Sequence, residues 1–251
     1  MEYFVEEGSV VKEIWGKADT ILFIFAGASA EFALNKAVDW LYFTGKLPAD
    51  PLARLFSTVT YAREIVFSEK EKAYKAIDKI TAIHSTVESN RSAKIPDWAY
   101  RDVLFMLIHY SIAAFELLER KLLETEKEEV FDVFYRFGKQ MNLTGLPLNF
   151  NDWQIMRTEH LNKDMEKSYY TIDLYKQYKK HLGLVRYKIL LESQILVVPE
   201  KVNELLQLGK LSLLKPLLFI YKLARSINAD GIIKFLILPG EYKKQINALD
   251  L

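Results

Sequence analysis

The chain has 251 residues, of which 50% are apolar and 27% are charged, a balance typical of a globular protein with a full core. Its 34 basic and 33 acidic residues give a net charge of +1, which argues against a dedicated nucleic-acid binder. Because the chain has no cysteine, disulfides, thiolate nucleophiles, zinc–thiolate sites, iron–sulfur clusters and thiolate-ligated haem are excluded.

The first residues lack the pattern of a secretory signal. Residues 1–7 are acidic and have no positively charged segment. The longest apolar stretch, 21–34, is interrupted by Glu31 and is shorter than the roughly 20 residues that span a bilayer. We therefore expect a cytoplasmic protein without a membrane-spanning helix.

Helical periodicity begins at the amino-terminal end. The pattern predicts a first helix over about 10–25 and, after a break at Gly27, a second helix from about 29 to 45. Asp50 followed by Pro51 predicts the start of a third helix, because Asp caps the free N–H groups and Pro suits the first helical position.

The next two helices carry the first candidate site residues. Ser68 with Glu71 has the spacing of a capping box, and the helix that follows has an apolar stripe containing His84. The polar run 88–94 predicts a loop before a long helix over about 95–123. That helix is apolar on all sides near its middle, so we expect it to be the buried central helix.

The rest of the chain also favours helices. They are predicted over about 126–141 and 152–181, with shorter pieces after them, and 194–198 is the only candidate strand. No repeat or low-complexity linker divides the chain. The sequence therefore predicts one all-α, multi-helix domain over 1–251, with helices from 183–251 packing on the rest.

Four histidines are the main candidates for chemistry. His160 and His181 lie in strongly charged segments and are expected at the surface. His84 and His109 lie on apolar faces of consecutive helices, where a histidine is most often a core residue that has its hydrogen bonds satisfied. Two such residues on neighbouring helices also suit a metal or haem iron, because a buried imidazole needs partners for both nitrogens.

The sequence lacks the motifs of several other common types of binding and catalytic site. The chain has no glycine-rich nucleotide-binding motif and no His-Glu-x-x-His zinc motif. Its glutamate pairs lack the Glu-x-x-His spacing of di-iron bundles. What remains is an apolar helical pocket with one or two imidazoles, which suits haem.

Three motifs carry a resemblance to a known family. They are the run Asp50-Pro51-Leu52-Ala53-Arg54-Leu55-Phe56-Ser57-Thr58, the run Ile83-His84-Ser85-Thr86-Val87, and His109 within an apolar helix. Their order and spacing resemble the catalytic-domain family shared by the latex-clearing rubber oxygenases and the membrane-bound oxygenase of mycophenolic acid biosynthesis. The resemblance covers about residues 26–165.

The resemblance implies a globin-like core around a buried pocket that holds haem b, with dioxygen as co-substrate. It implies that His84 is the iron ligand, that Arg54 and Thr58 are catalytic residues on the distal side, and that His109 supports the cofactor. Arg54 and Thr58 share a helix face and suit dioxygen or a haem propionate. Without the family, Arg54 pairing with an acidic neighbour and Thr58 bonding back to its own helix are the ordinary alternatives.

Two departures from the family argue against rubber as the substrate. The rubber oxygenases have, just before the threonine, a lysine that can reach the iron, and this chain has Ser57 there. The rubber oxygenases also have a proposed acidic base that has no matching residue in this chain, where Asp39 is the nearest candidate.

Three functions stay open at this point. The first is a haem-b-dependent oxygenase acting on an apolar, isoprenoid- or lipid-like substrate. The second is a haem-free helical module that binds a hydrophobic ligand. The third is a haem sensor or electron-transfer protein with His84 and His109 both on the iron.

The carboxy-terminal segments 211–222 and 232–238 mix large apolar residues with lysines. Core packing is their commonest role, but the same composition suits peripheral contact with a membrane or the mouth through which an apolar substrate enters.

Overall fold

Helices account for the regular structure of the described part of the chain. The computed structural model describes residues 2–45 and 49–226, with 55 and 223–226 described by backbone alone. The first six helices are α1 (Val10–Trp15), α2 (Ala18–Leu34), α3 (Val38–Phe43), α4 (Pro51–Phe67), α5 (Lys70–Arg91) and α6 (Asp97–Leu118). The remaining helices of this part are α7 (Glu124–Gln140), α8 (Phe150–Lys163), α9 (Tyr169–Val197), α10 (Glu200–Leu206) and α11 (Leu214–Ser226). The all-α prediction is confirmed.

The centre of the fold is the contact between α2 and α6, with α9 packed against both. Residues 104–108 of α6 are all buried, as expected for the central helix. The ring of Tyr110 on α6 lies directly against Gly27 of α2, where a Cβ atom would overlap the ring. Close approach of the two central helices therefore requires glycine at position 27.

The amino-terminal helix boundaries differ from those predicted. Asp50 accepts the Ala53 N–H at 2.9 Å with Pro51 in the first turn, as the sequence indicated. The predicted break at Gly27 is wrong, because α2 continues through it and the break falls at Gly16, which ends α1.

The later boundaries also differ. The predicted helix over 152–181 is two helices, α8 and α9, separated by residues 164–168. The candidate strand 194–198 is wrong, because these residues form the last turn of α9 and its cap. There Gln194 Nε2 donates to Ser29 Oγ of α2 at 3.1 Å, which fixes this end of α9 against the centre. The segment 232–238 lies outside the described residues.

No helix in the described ranges combines the length and apolar character needed to cross a membrane.

Candidate functional site

The start of α4 holds a cation and two hydroxyl groups together. Arg54, Ser57 and Thr58 are three and four residues apart and share one face of the helix. Arg54 Nη1 donates to Ser57 Oγ at 3.2 Å and to Thr58 Oγ1 at 3.0 Å. Both hydroxyls also bond back to the Arg54 carbonyl, at 2.8 and 3.2 Å. The side chains are thus positioned by contacts within their own helix.

Arg54 is a cation without a carboxylate partner among the described residues. Burial lowers the pKa of its guanidinium. A buried charge that is not paired carries a desolvation cost, so such groups usually have an anionic or strongly polar neighbour. We infer that the position suits a bound anionic or strongly polar group.

His84 lies on α5 with its ring edge-on to Tyr100 of α6, at 5.1 Å between ring centroids. Its Nδ1 is buried and has no hydrogen-bond partner among the described residues. Burial, and then the charge of Arg54, lower the pKa of His84 to about 4, although Glu88 opposes this shift. The imidazole is therefore neutral near pH 7, with a lone pair available to a metal.

His109 lies on α6 in a different environment. A hydrogen bond links its ring to the backbone of Val197 at the end of α9. Burial, followed by the charge of Arg157, lowers the pKa of His109 to about 4, against the effect of Glu31. His109 thus connects the central helix to α9, which suits a supporting role.

Asp39, the sequence candidate for a base, forms an ion pair. Its Oδ2 lies 2.6 Å from Arg91 Nη2 at the end of α5. The guanidinium of Arg91 also stacks on Trp40, 4.1 Å from the ring centroid. Asp39 and Trp40 therefore clamp α3 to α5.

A second polar group, which the sequence did not predict, lies where α2, α6 and α8 meet. We call Glu31, Asp102, Arg157 and His160 the buried charge cluster. Both carboxylate oxygens of Glu31 accept hydrogen bonds from Arg157, and one also accepts from Tyr110 at 2.8 Å. All four members are at most 6% exposed.

The prediction that His160 lies at the surface is wrong. Its Nε2 is in ion-pair contact with Asp102, and its Nδ1 lies 2.9 Å from Asp164 Oδ2. Burial alone would lower the pKa of His160, but Asp102 raises it. His181 is half-buried, and its Nε2 has no hydrogen-bond partner in the part of the chain that is described.

Helical spacing could have revealed the buried position of His160. Phe150, Trp153, Arg157 and His160 are separated by three, four and three residues, the spacing of one helix face. Their burial shows that they form the inner face of α8. The charged residues between them concealed this stripe.

The carboxy-terminal helix exposes apolar side chains. Leu217, Phe219 and Ile220 on α11 are 53–74% exposed. One turn after Leu217, Tyr221 donates to Asp19 Oδ2 of α2 at 2.9 Å. The apolar side chains of the segment 211–222 are therefore not all packed in the core.

Comparison with protein families gives one match. The family described as ER-bound oxygenase mpaB/B'/Rubber oxygenase, catalytic domain, matches residues 16–209. A comparison with curated proteins gives no match.

Proposed function

Because this chain belongs to the family of ER-bound mpaB/B' and rubber oxygenase catalytic domains, we propose that it is a haem-b-dependent oxygenase acting on an apolar substrate. Membership of the family supports oxygenase activity. The observation that carries the haem proposal is the pair formed by Arg54, a half-buried cation without a carboxylate partner in the described structure, and the neutral His84 close to it.

The residues at this site fit a haem. His84 would hold the iron, because it is uncharged near pH 7 and has unused bonding capacity at its ring. When bound, haem iron supplies the activation of dioxygen. A neutral imidazole needs no proton release before it binds a metal.

Arg54 and Thr58 would set the polarity on the distal side. The guanidinium has donors beyond those used on Ser57 and Thr58, so it can hydrogen-bond an oxygen atom of dioxygen or of a propionate. Ser57 is too short to take the place of the family's lysine as an iron ligand. Arg54 and Thr58 would therefore act through hydrogen bonding.

An apolar substrate agrees with the exposed side chains of α11. Leu217, Phe219 and Ile220, with Lys215 on the same helix, would make peripheral contact with a membrane from which such a substrate enters. The substrate would be isoprenoid- or lipid-like.

A visible spectrum of the full chain, expressed with ample haem, tests the proposal. We expect absorption near ~400 nm, typical of histidine-ligated haem, and its loss in His84→Ala. His181→Ala is the matched control and should retain the haem. A colourless protein that co-purifies with a lipid would favour a haem-free binding module instead, and haem retention in His84→Ala would reject His84 as the ligand.

A further inference from the structure

The long helix α9 folds back on itself at Gly183. This residue has φ 71° and ψ 173°, a backbone conformation outside the helical region that is essentially restricted to glycine. Tyr175 Oη donates to Gln194 Oε1 at 2.9 Å, although an unbroken helix would separate two residues 19 positions apart by about 28 Å. The halves 169–182 and 184–197 therefore lie side by side as a helical hairpin, with Gly183 at its tip.

The body of this hairpin is fixed to the core. Tyr178 of the first half donates to the Ser29 carbonyl of α2 at 3.3 Å, and Gln194 of the second half donates to Ser29 Oγ at 3.1 Å. Leu174 and Leu190, one from each half, belong to the same hydrophobic cluster. The tip, residues 183–185, is exposed. The hairpin thus presents its tip to the surroundings on a rigid support.

The tip carries two exposed aliphatic side chains. Leu184 and Val185 follow Gly183 directly and are 67% and 74% exposed. Single exposed apolar residues are common on protein surfaces, so their exposure alone does not indicate a partner. The charges that accompany this pair are what distinguish it.

The segment around the tip is strongly basic. Between Asp173 and Glu192 the chain has no carboxylate, although its overall net charge is only +1. The basic residues of this segment are Lys176, Lys179, Lys180, Arg186 and Lys188. All four lysines are exposed, and none forms an ion pair with a carboxylate of the described residues. The hairpin therefore has unpaired positive charge on both sides of an apolar tip.

We propose that the tip of this hairpin binds membranes that contain anionic lipids, with Leu184 and Val185 inserted among the headgroups. The lysines beside the tip pair with lipid phosphates and carboxylates, while their aliphatic stems lie along the apolar boundary. The contact adds a second surface to the one proposed for α11, and it requires neither haem nor α11.

The composition of the tip favours lipid over two other partners. Single-stranded nucleic acid also binds basic surfaces, but it stacks its bases on aromatic rings, and the tip residues 183–185 are Gly, Leu and Val. Two copies of the chain that met tip to tip would bring like charges together, which opposes pairing. Aliphatic side chains flanked by lysines are typical of segments that lie in a membrane interface.

Co-sedimentation of the full chain with vesicles tests the role of the charges. The vesicles are phosphatidylcholine alone, or an equimolar mixture with the anionic lipid phosphatidylserine. Changing Lys179 and Lys180 together to glutamine should weaken binding to the mixed vesicles by about fivefold per lysine. Changing Lys75 and Lys139, two exposed lysines on other helices, to glutamine removes the same charge and should have little effect.

A fluorescent label tests whether the tip enters the interface. Because the chain has no cysteine, Leu184→Cys provides a single labelling site. An environment-sensitive fluorophore there should shift its emission to shorter wavelength on the mixed vesicles and not on phosphatidylcholine alone. Leu148→Cys, at a leucine that is 78% exposed, is the matched control and should show no shift.

Three results would overturn the proposal. They are equal binding by the two double-lysine variants, an unshifted label at position 184, and dimers of the parent chain that dissociate in Leu184→Ser. The last result would assign the tip to a second copy of the chain. If α11 alone holds the protein on vesicles, the label at 184 stays unshifted. Both measurements work on the haem-free protein, so failure of the haem proposal would leave them unchanged.

Discussion

The guanidinium of Arg54 on α4 lies close enough to the imidazole of His84 on α5 that its charge lowers the pKa of the ring. The two residues are 30 positions apart in the sequence, and the α4–α5 pairing brings them together. A half-buried cation thus adds to the effect of burial in keeping a candidate iron ligand uncharged. This relationship can be tested without haem.

Replacing Arg54 with methionine should raise the pKa of His84 in the haem-free protein. The substitution removes the positive charge that opposes protonation but keeps an apolar side chain at the site. The His84 ring signal, followed by NMR across a pH series, gives the pKa. Arg63→Gln on the same helix is the control and should leave this pKa unchanged; an unaltered pKa in Arg54→Met would contradict the electrostatic coupling.

The haem-free protein should lose stability in acid as His84 and His109 become protonated. Both pKa values are about 4 in the fold, against 6.5 for an ordinary histidine. The unfolded chain takes up protons first, so this contribution is complete above pH 6.5 and is lost as the pH falls from 6.5 to 4. Each histidine should contribute about 3 kcal/mol, since one pKa unit corresponds to about 1.4 kcal/mol.

Urea unfolding at several pH values between 4 and 7.5 measures this effect. His109→Gln should show a smaller loss of unfolding free energy across that range than the parent chain. The same slope in both proteins would mean that His109 does not titrate with a lowered pKa.

Glu31→Gln should destabilise the protein strongly, because it leaves the guanidinium of Arg157 buried without its carboxylate. Breaking a buried ion pair from one side costs about 3–5 kcal/mol. Glu126→Gln, which breaks the exposed pair with Arg120, should cost far less. Urea unfolding of both variants compares them, and similar losses would contradict the burial of the Glu31–Arg157 pair.

Gly27→Ala should also destabilise the fold, although alanine normally favours a helix interior by about 1 kcal/mol over glycine. The added Cβ overlaps the Tyr110 ring, and neither central helix can move without disturbing the core. Ala82→Gly at an exposed position of α5 calibrates the propensity effect. A gain in melting temperature for Gly27→Ala would refute the close packing of α2 and α6.

The exposed apolar side chains of α11 should support binding to lipid vesicles. Changing Leu217, Phe219 and Ile220 together to serine should reduce co-sedimentation, because it removes the apolar surface that enters the interface. Leu148→Ser, at another exposed leucine, is the control. Phosphatidylserine is an anionic lipid, so comparing vesicles with and without it measures how much the positive charges of Lys215 and Lys222 contribute to binding. Equal sedimentation of the triple variant and the parent chain would count against membrane contact.

The sequence by itself determined the all-α class, the capped start of α4 and the buried middle of α6. Each depends on local spacing, because residues three and four apart share a helix face and a cap acts within one turn. The four-residue spacing of Arg54 and Thr58 likewise places them on one face of α4. The family motifs, also readable from the sequence, nominated His84.

Only the tertiary structure decided which charges are buried and what they contact. Glu31, Asp102 and His160 lie on three helices, and their convergence depends on how those helices pack. The charged neighbours of His160 in the sequence pointed to the surface, because local composition does not reveal which helix face turns inward. The role of Gly27 was likewise decided by packing: it lies inside α2, where Tyr110, far away in the sequence, leaves no space for a side chain.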